Sequence, residues 1–192
     1  MSSGENTPDD WSQWLPPATH EVDDFLAEGG WDQPPQLFAL VPTAQLLEAQ
    51  PELAESLPGS EGLTPVAQEP LNAADLADNL SEIVWPEAVA GCALAQEIVV
   101  LPPEAEAELD REVDEKVDDG AGVDERNEVA VHVARSHPDR REARLVVAVL
   151  RSGTCCCLMR LRGAGDEPDE VVEHPDLAPN MVNALMRTLE QD

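Results

Sequence analysis

Apolar positions along the chain switch between a helical and an extended period, and the switches mark its elements. After Thr19, Val22, Phe25 and Leu26 share one helical face, with Asp23 and Asp24 near its positive end, so a short helix capped by Thr19 and stopped by Gly29-Gly30 is predicted. Gln36 to Val41 is an apolar run bounded by prolines and reads as a strand. Thr43 opens a helical pattern through Leu46 and Leu47 that resumes after Pro51 and reaches Leu57. Residues 59–70, rich in Gly, Pro and Glu, read as a loop. Asn72 or Asp75 starts a helix bearing Leu76, Leu80, Ile83 and Val84. Ala88 to Leu101 is a long apolar stretch, and Ile98, Val99 and Val100 make it a buried strand.

Pro102-Pro103 suits a helix start, and Leu109, Val113 and Val117 form a thin stripe along the helix that follows. Val129, Val131 and Val133 alternate as in a strand, but Asp124 to Arg135 carries a cap and helical charge pairs, and helix is preferred. Glu142 to Arg151 and Thr154 to Arg162 flank Ser152-Gly153 as a hairpin, and Val171-Val172 adds a short edge strand. Asp176 or Pro179 begins a last helix, with Met181, Val182, Leu185, Met186 and Leu189 facing a sheet. The fold class expected is α+β: a largely antiparallel sheet of about four strands with helices packed on it. Residues 1–17 are expected to be a disordered acidic tail, in which Trp11 and Trp14 either dock or bind elsewhere. Residues 18–192 are expected to form a single α+β domain with an acidic insertion near 103–125.

Charge changes this picture more than composition does. The formal net charge is −29, and residues 1–110 contain 22 Asp or Glu and no Lys or Arg. From 104 to 128 there are 12 acidic and three basic residues. Such a field repels nucleic-acid phosphate and anionic membranes and attracts a basic protein. Met1 to Asp10 has neither a basic nor an apolar region, so no signal peptide is expected, and no apolar run approaches the roughly 20 residues of a membrane span. A soluble cytoplasmic protein is expected.

Candidate chemistry is sparse. Cys155, Cys156 and Cys157 are consecutive in an apolar run, where alternate residues face opposite ways, and Cys92 stands apart, so reduced buried thiols are expected. His132 and His137 are five apart, not the three or four of a helical metal pair, and no Cys-x-x-Cys occurs. No EF-hand spacing, phosphate-cradling glycine loop or nucleophile elbow is present. Arg135, Arg140, Arg141, Arg144, Arg151, Arg160 and Arg162 fall in one stretch and are read as partners for the chain's own acids. The sequence therefore names no catalytic, cofactor-binding or metal-ligating residue.

Several segments in order carry a resemblance. They are Gly30-Trp31-Asp32-Gln33-Pro34 with Leu37-Phe38-Ala39-Leu40-Val41, Trp85-Pro86 with Ala90-Gly91-Cys92-Ala93, Val100-Leu101-Pro102-Pro103, His137-Pro138-Asp139-Arg140, and Leu158-Met159-Arg160-Leu161-Arg162. Over roughly residues 18–190 the chain resembles an uncharacterised family of hypothetical cytoplasmic proteins from high-GC Gram-positive, actinobacterial bacteria. The resemblance implies a soluble bacterial protein and brings no catalytic residues with it.

The expected function is that of a non-enzymatic interaction or regulatory protein with an acidic surface and a basic protein as partner. The alternative is a small-molecule-binding protein or enzyme with a pocket near Trp31, Trp85, His137 and Arg140. Trp31, Asp32, Trp85, His137 and Arg140 are thus the candidate contact residues.

Overall fold

Pro16 and Pro17 start a helix here instead of ending a tail. Helix α1 spans Leu15–Glu28 and follows a 3-10 turn at Ser12–Trp14. The first turn of a helix leaves its N–H groups unbonded, so two prolines cost it nothing there. Thr19 is therefore inside α1, not at its cap, and its hydroxyl donates to the Leu15 carbonyl at 2.7 Å. The computed structural model describes residues 11–57, 59, 61–117, 120 and 122–190. Most of the tail expected over 1–17 lies outside the described residues, whereas Trp11 and Trp14 pack against the core.

The remaining elements are β1 (Gln36–Pro42), α2 (Thr43–Ala49), β2 (Leu63–Ala67), α3 (Leu76–Ser81), β3 (Gly91–Val100), α4 (Pro103–Lys116), α5 (Val123–Ser136), β4 (Arg141–Leu150), β5 (Cys155–Leu161), β6 (Glu170–Glu173) and α6 (Pro179–Glu190). The class is α+β, as expected, but the antiparallel sheet has six strands in the order β2-β1-β3-β4-β5-β6, not about four. One added strand, β2, falls in the stretch read as a loop. It pairs antiparallel with β1, Phe38 opposite Ala67 and Leu40 opposite Pro65. Its signal is weak because Pro65 interrupts a run of five residues. Gly62 and Gln68 bond to the β1 side, through Thr43 N–H and Leu37 C=O, so Pro65 belongs to the alternate set that faces outward. A residue without an N–H on that face blunts the sheet edge. The other added strand, β6, is the short edge expected around Val171.

Two compact units divide the chain. The first comprises residues 1–96, 145–159 and 171–192. Within it the sheet is buried on both faces. Phe38, Leu40, Ala93, Ala95, Val146, Ala148, Leu150, Cys156 and Leu158 form one core with Leu15, Ala18, Val22 and Leu26 of α1. Alternate residues face the other way, and there the Cys92 thiol reaches the Leu185 carbonyl and the Thr188 hydroxyl of α6. Gly91 meets β4 so closely that a Cβ would lie 2.2 Å from the Val149 carbonyl oxygen. The hairpin turns through three residues, Arg151 to Gly153, with Gly153 at φ +93° and its N–H on the Leu150 carbonyl. Arg151 thereby leaves the expected strand.

The second unit comprises residues 97–144 and 160–170. The stretch expected as an acidic insertion is helical in α4, and α5 is the preferred helix: Val133 is buried while Val131 is exposed, so their alternation does not define a strand face. Arg144 is 2% exposed and donates to Glu97 at 3.4 Å.

Arg151 joins three segments of the first unit. Its guanidinium donates to the carbonyls of Val89 (2.9 Å), Trp85 (3.1 Å), Pro86 (3.2 Å) and Leu189 near the C-terminus of α6. A planar fork with five donors suits this task, and an ammonium does not. Arg151→Ala is expected to lower the unfolding free energy by about 2 kcal/mol, and Arg151→Lys to recover less than half of that, measured by urea denaturation.

Candidate functional site

The first unit holds an open apolar groove. Leu37, Ala39 and Val41 alternate along one face of β1, and Val66 of β2 extends that surface. Leu46 of α2 and the segment Ile83 to Pro86 form the walls, and Gln68 and Glu69 sit at the rim. The cavity measures about 690 Å³. Its wall exists because α3 stops at Ser81, short of the predicted helix, and releases Ile83, Val84 and Trp85 into a loop. Val84 is 54% exposed and Trp85 only 8%. The Trp85 indole N–H donates to the Thr188 hydroxyl at 3.0 Å, and that hydroxyl donates to the Leu185 carbonyl at 2.6 Å. With Arg151 on the backbone of the same segment, the wall is held at both its side chain and its carbonyls.

A second depression, of about 890 Å³, lies within the second unit between the start of β4 and the loop after β5. Arg140, Arg141 and Arg162 line it with Glu142, Glu167 and Glu170. Arg162 pairs with Glu142, and Arg141 lies 3.8 Å from Glu170. Asp169 accepts the Gly163 N–H at 2.9 Å and stands 3.9 Å from Arg160. Arg140 donates to the His137 carbonyl at 3.2 Å and has no carboxylate partner among the described residues. Of the seven clustered arginines, Arg141, Arg144, Arg160 and Arg162 pair with the chain's own carboxylates, as expected.

The five candidate contact residues fall into both units. Trp31 is half-buried and Asp32 exposed in the turn after α1. Asp32 is the one non-glycine with positive φ (67°) among the described residues, a conformation Asp tolerates. Trp85 lines the groove of the first unit, and Trp31 is not part of that lining. His137 ends α5, accepts the Asp139 N–H on Nδ1 at 3.1 Å and lies 3.6 Å from Glu108. Arg140 lines the depression of the second unit, and His137 does not. Sequence reasoning passed over Leu37, Ala39 and Leu46 as groove residues, since an apolar strand face looks the same whether a helix or solvent lies over it.

The thiols are placed for packing. Burial pushes Cys92 up to about 12, against opposing pulls from the Thr188 hydroxyl and the Arg151 charge. Burial likewise raises Cys157 to about 11 and moves Cys156 upward. All four cysteines are free. Among the described residues no group of three or more His, Cys, Asp or Glu side chains is placed to hold a metal ion. No helix among them is long and apolar enough to cross a membrane.

These features define an α+β protein with an antiparallel sheet, an apolar groove in one unit and acidic helices in the other. The chain belongs to the PPA1309-like protein family, whose model matches residues 15–190. No curated protein and no solved structure matches it.

The thiols set an alkaline signature. The chain has no Tyr and a single Lys, so few other side chains titrate between about pH 9 and 12. An unfolded thiol ionises near 9.0 while Cys92 keeps its proton to about 12, so the unfolded state binds fewer protons in that window and stability falls as pH rises through it. Cys92→Ala is expected to flatten the fall, read as the urea midpoint against pH.

Proposed function

We propose that the protein is a non-enzymatic interaction or regulatory protein of an actinobacterial cytoplasm that binds a basic partner protein through its carboxylate-rich surface. The observation that supports this most is on α4. Its Glu104, Glu106, Glu108, Asp110, Glu112, Asp114 and Glu115 are all exposed. Lys116 neutralises Glu112, Arg126 pairs with Asp114, and His137 lies beside Glu108. Glu104, Glu106, Asp110 and Glu115 have no such partner among the described residues. Uncompensated carboxylates on one rigid helix attract a basic surface and speed its encounter, at the expense of strong salt sensitivity. In host lysate at low salt, the full chain is expected to retain a basic protein that salt releases. Replacing Glu104, Glu106 and Glu115 by Gln and Asp110 by Asn should weaken that retention about tenfold. Retention unchanged by both treatments would overturn the reading.

A second reading, a small-molecule-binding protein or enzyme, draws on Arg140. Its guanidinium lines a depression of about 890 Å³ with no carboxylate of its own among the described residues. Calorimetric titration with inorganic phosphate should then give heat that Arg140→Ala abolishes. Equal heat from the two proteins, or none from either, removes an anion site there.

A further inference from the structure

We infer that the apolar groove beside Trp85 is the docking site for a segment of the basic partner that interleaves apolar side chains with Lys or Arg. This inference rests on the interaction reading above and adds an apolar contact to the acidic one.

The groove floor is Leu37, Ala39 and Val66, and its wall exposes Val84. A volume of about 690 Å³ has room for several apolar side chains. Small-molecule sites enclose most of their ligand, and a groove open to solvent leaves part of an occupant in water. A protein segment matches it better, because it buries anchor side chains and keeps its own polar groups in water. Strand addition is not the mode, since Pro65 removes an outward N–H from the adjacent edge β2.

Charge determines the chemistry of the occupant. Glu69 is part of the lining, and Glu82 and Glu87 bracket the wall segment Ile83 to Pro86; all three are exposed. No Lys or Arg occurs before Arg111. Arg151, the guanidinium that touches this wall, is engaged by four backbone carbonyls. An acidic segment would meet uncompensated carboxylates, and a purely apolar one would leave them without a cation. A basic amphipathic segment satisfies both the floor and the rim.

The test uses the full chain and random peptides displayed on phage at low salt. Enriched sequences are expected to combine apolar residues with Lys or Arg. Titrating an enriched peptide into isotope-labelled protein should shift the amides of Leu46, Val66, Ile83 and Val84. Val84→Lys places a cation on an exposed wall position and should weaken that peptide about tenfold, with folding checked by circular dichroism. The double variant Glu82→Lys, Glu87→Lys should weaken it comparably and leave the sheet untouched. Shifts confined to residues 104–115 would overturn the groove while leaving the acidic-surface reading intact. Enrichment of peptides lacking Lys and Arg, or binding indifferent to both variants, would also overturn it. Selection of no peptide, with binding of the neutral dye Nile red abolished by Val84→Lys, would make the groove a site for apolar small molecules. If neither peptide nor dye binds, the groove inference falls, and the interaction reading stands or falls on the salt-released retention of a basic protein.

Discussion

Ala143 to Leu150 of β4 are eight consecutive buried residues, so the sheet has no face that water can wet along this strand. Everything else in the first unit follows from that constraint. One face is closed by α1, whose Leu15, Ala18, Val22 and Leu26 complete a core with Phe38, Leu40 and Val146. The other is closed by α6, whose Leu185 and Thr188 meet Cys92 and the Trp85 indole. Strands buried on both sides read as continuous apolar runs, and such a run announces its burial without saying what covers it. Arg151 solves part of that problem. By tying Val89, Trp85, Pro86 and Leu189 together it attaches the α6 end to the loop before β3. Beside β1 the groove lies over Leu37 and Ala39, which are themselves only 3% and 5% exposed, and it opens at Val66 and Val84.

The few cations have structural tasks. Arg144 is buried against Glu97, Arg162 pairs with Glu142, and Arg151 serves carbonyls. Most of the bases are exposed, Arg111, Arg126, Arg140 and Arg162 among them, so the carboxylate excess of the surface reflects the 40 acids against 11 bases.

Local chemistry explains where the reading of the chain departs from the fold. A proline pair closes a segment or opens a helix with equal ease, and only the helix after Pro17 decides between them. Thr64-Pro65-Val66 is too short and too interrupted to signal a strand, yet β1 offers it a partner and the ladder forms. Ile83 and Val84 continue the helical spacing of Leu76 and Leu80, but α3 ends at Ser81. Trp85 supplies the reason: its indole is bonded to Thr188, more than a hundred residues away in sequence, and the segment follows the indole.

Periodicity alone therefore determined most helices and strands, the hairpin around Ser152-Gly153, the α+β class and the one-sided charge. Each of these depends on neighbours within a few residues, where spacing and side-chain type act directly. Tertiary structure alone decided the sixfold sheet, the docking of Trp11 and Trp14, the location of the groove, and the division of Trp31, Asp32 and Trp85 from His137 and Arg140 between two units. Those depend on contacts between residues far apart in the chain, such as Trp85 with Thr188 and Glu97 with Arg144, which no local pattern encodes.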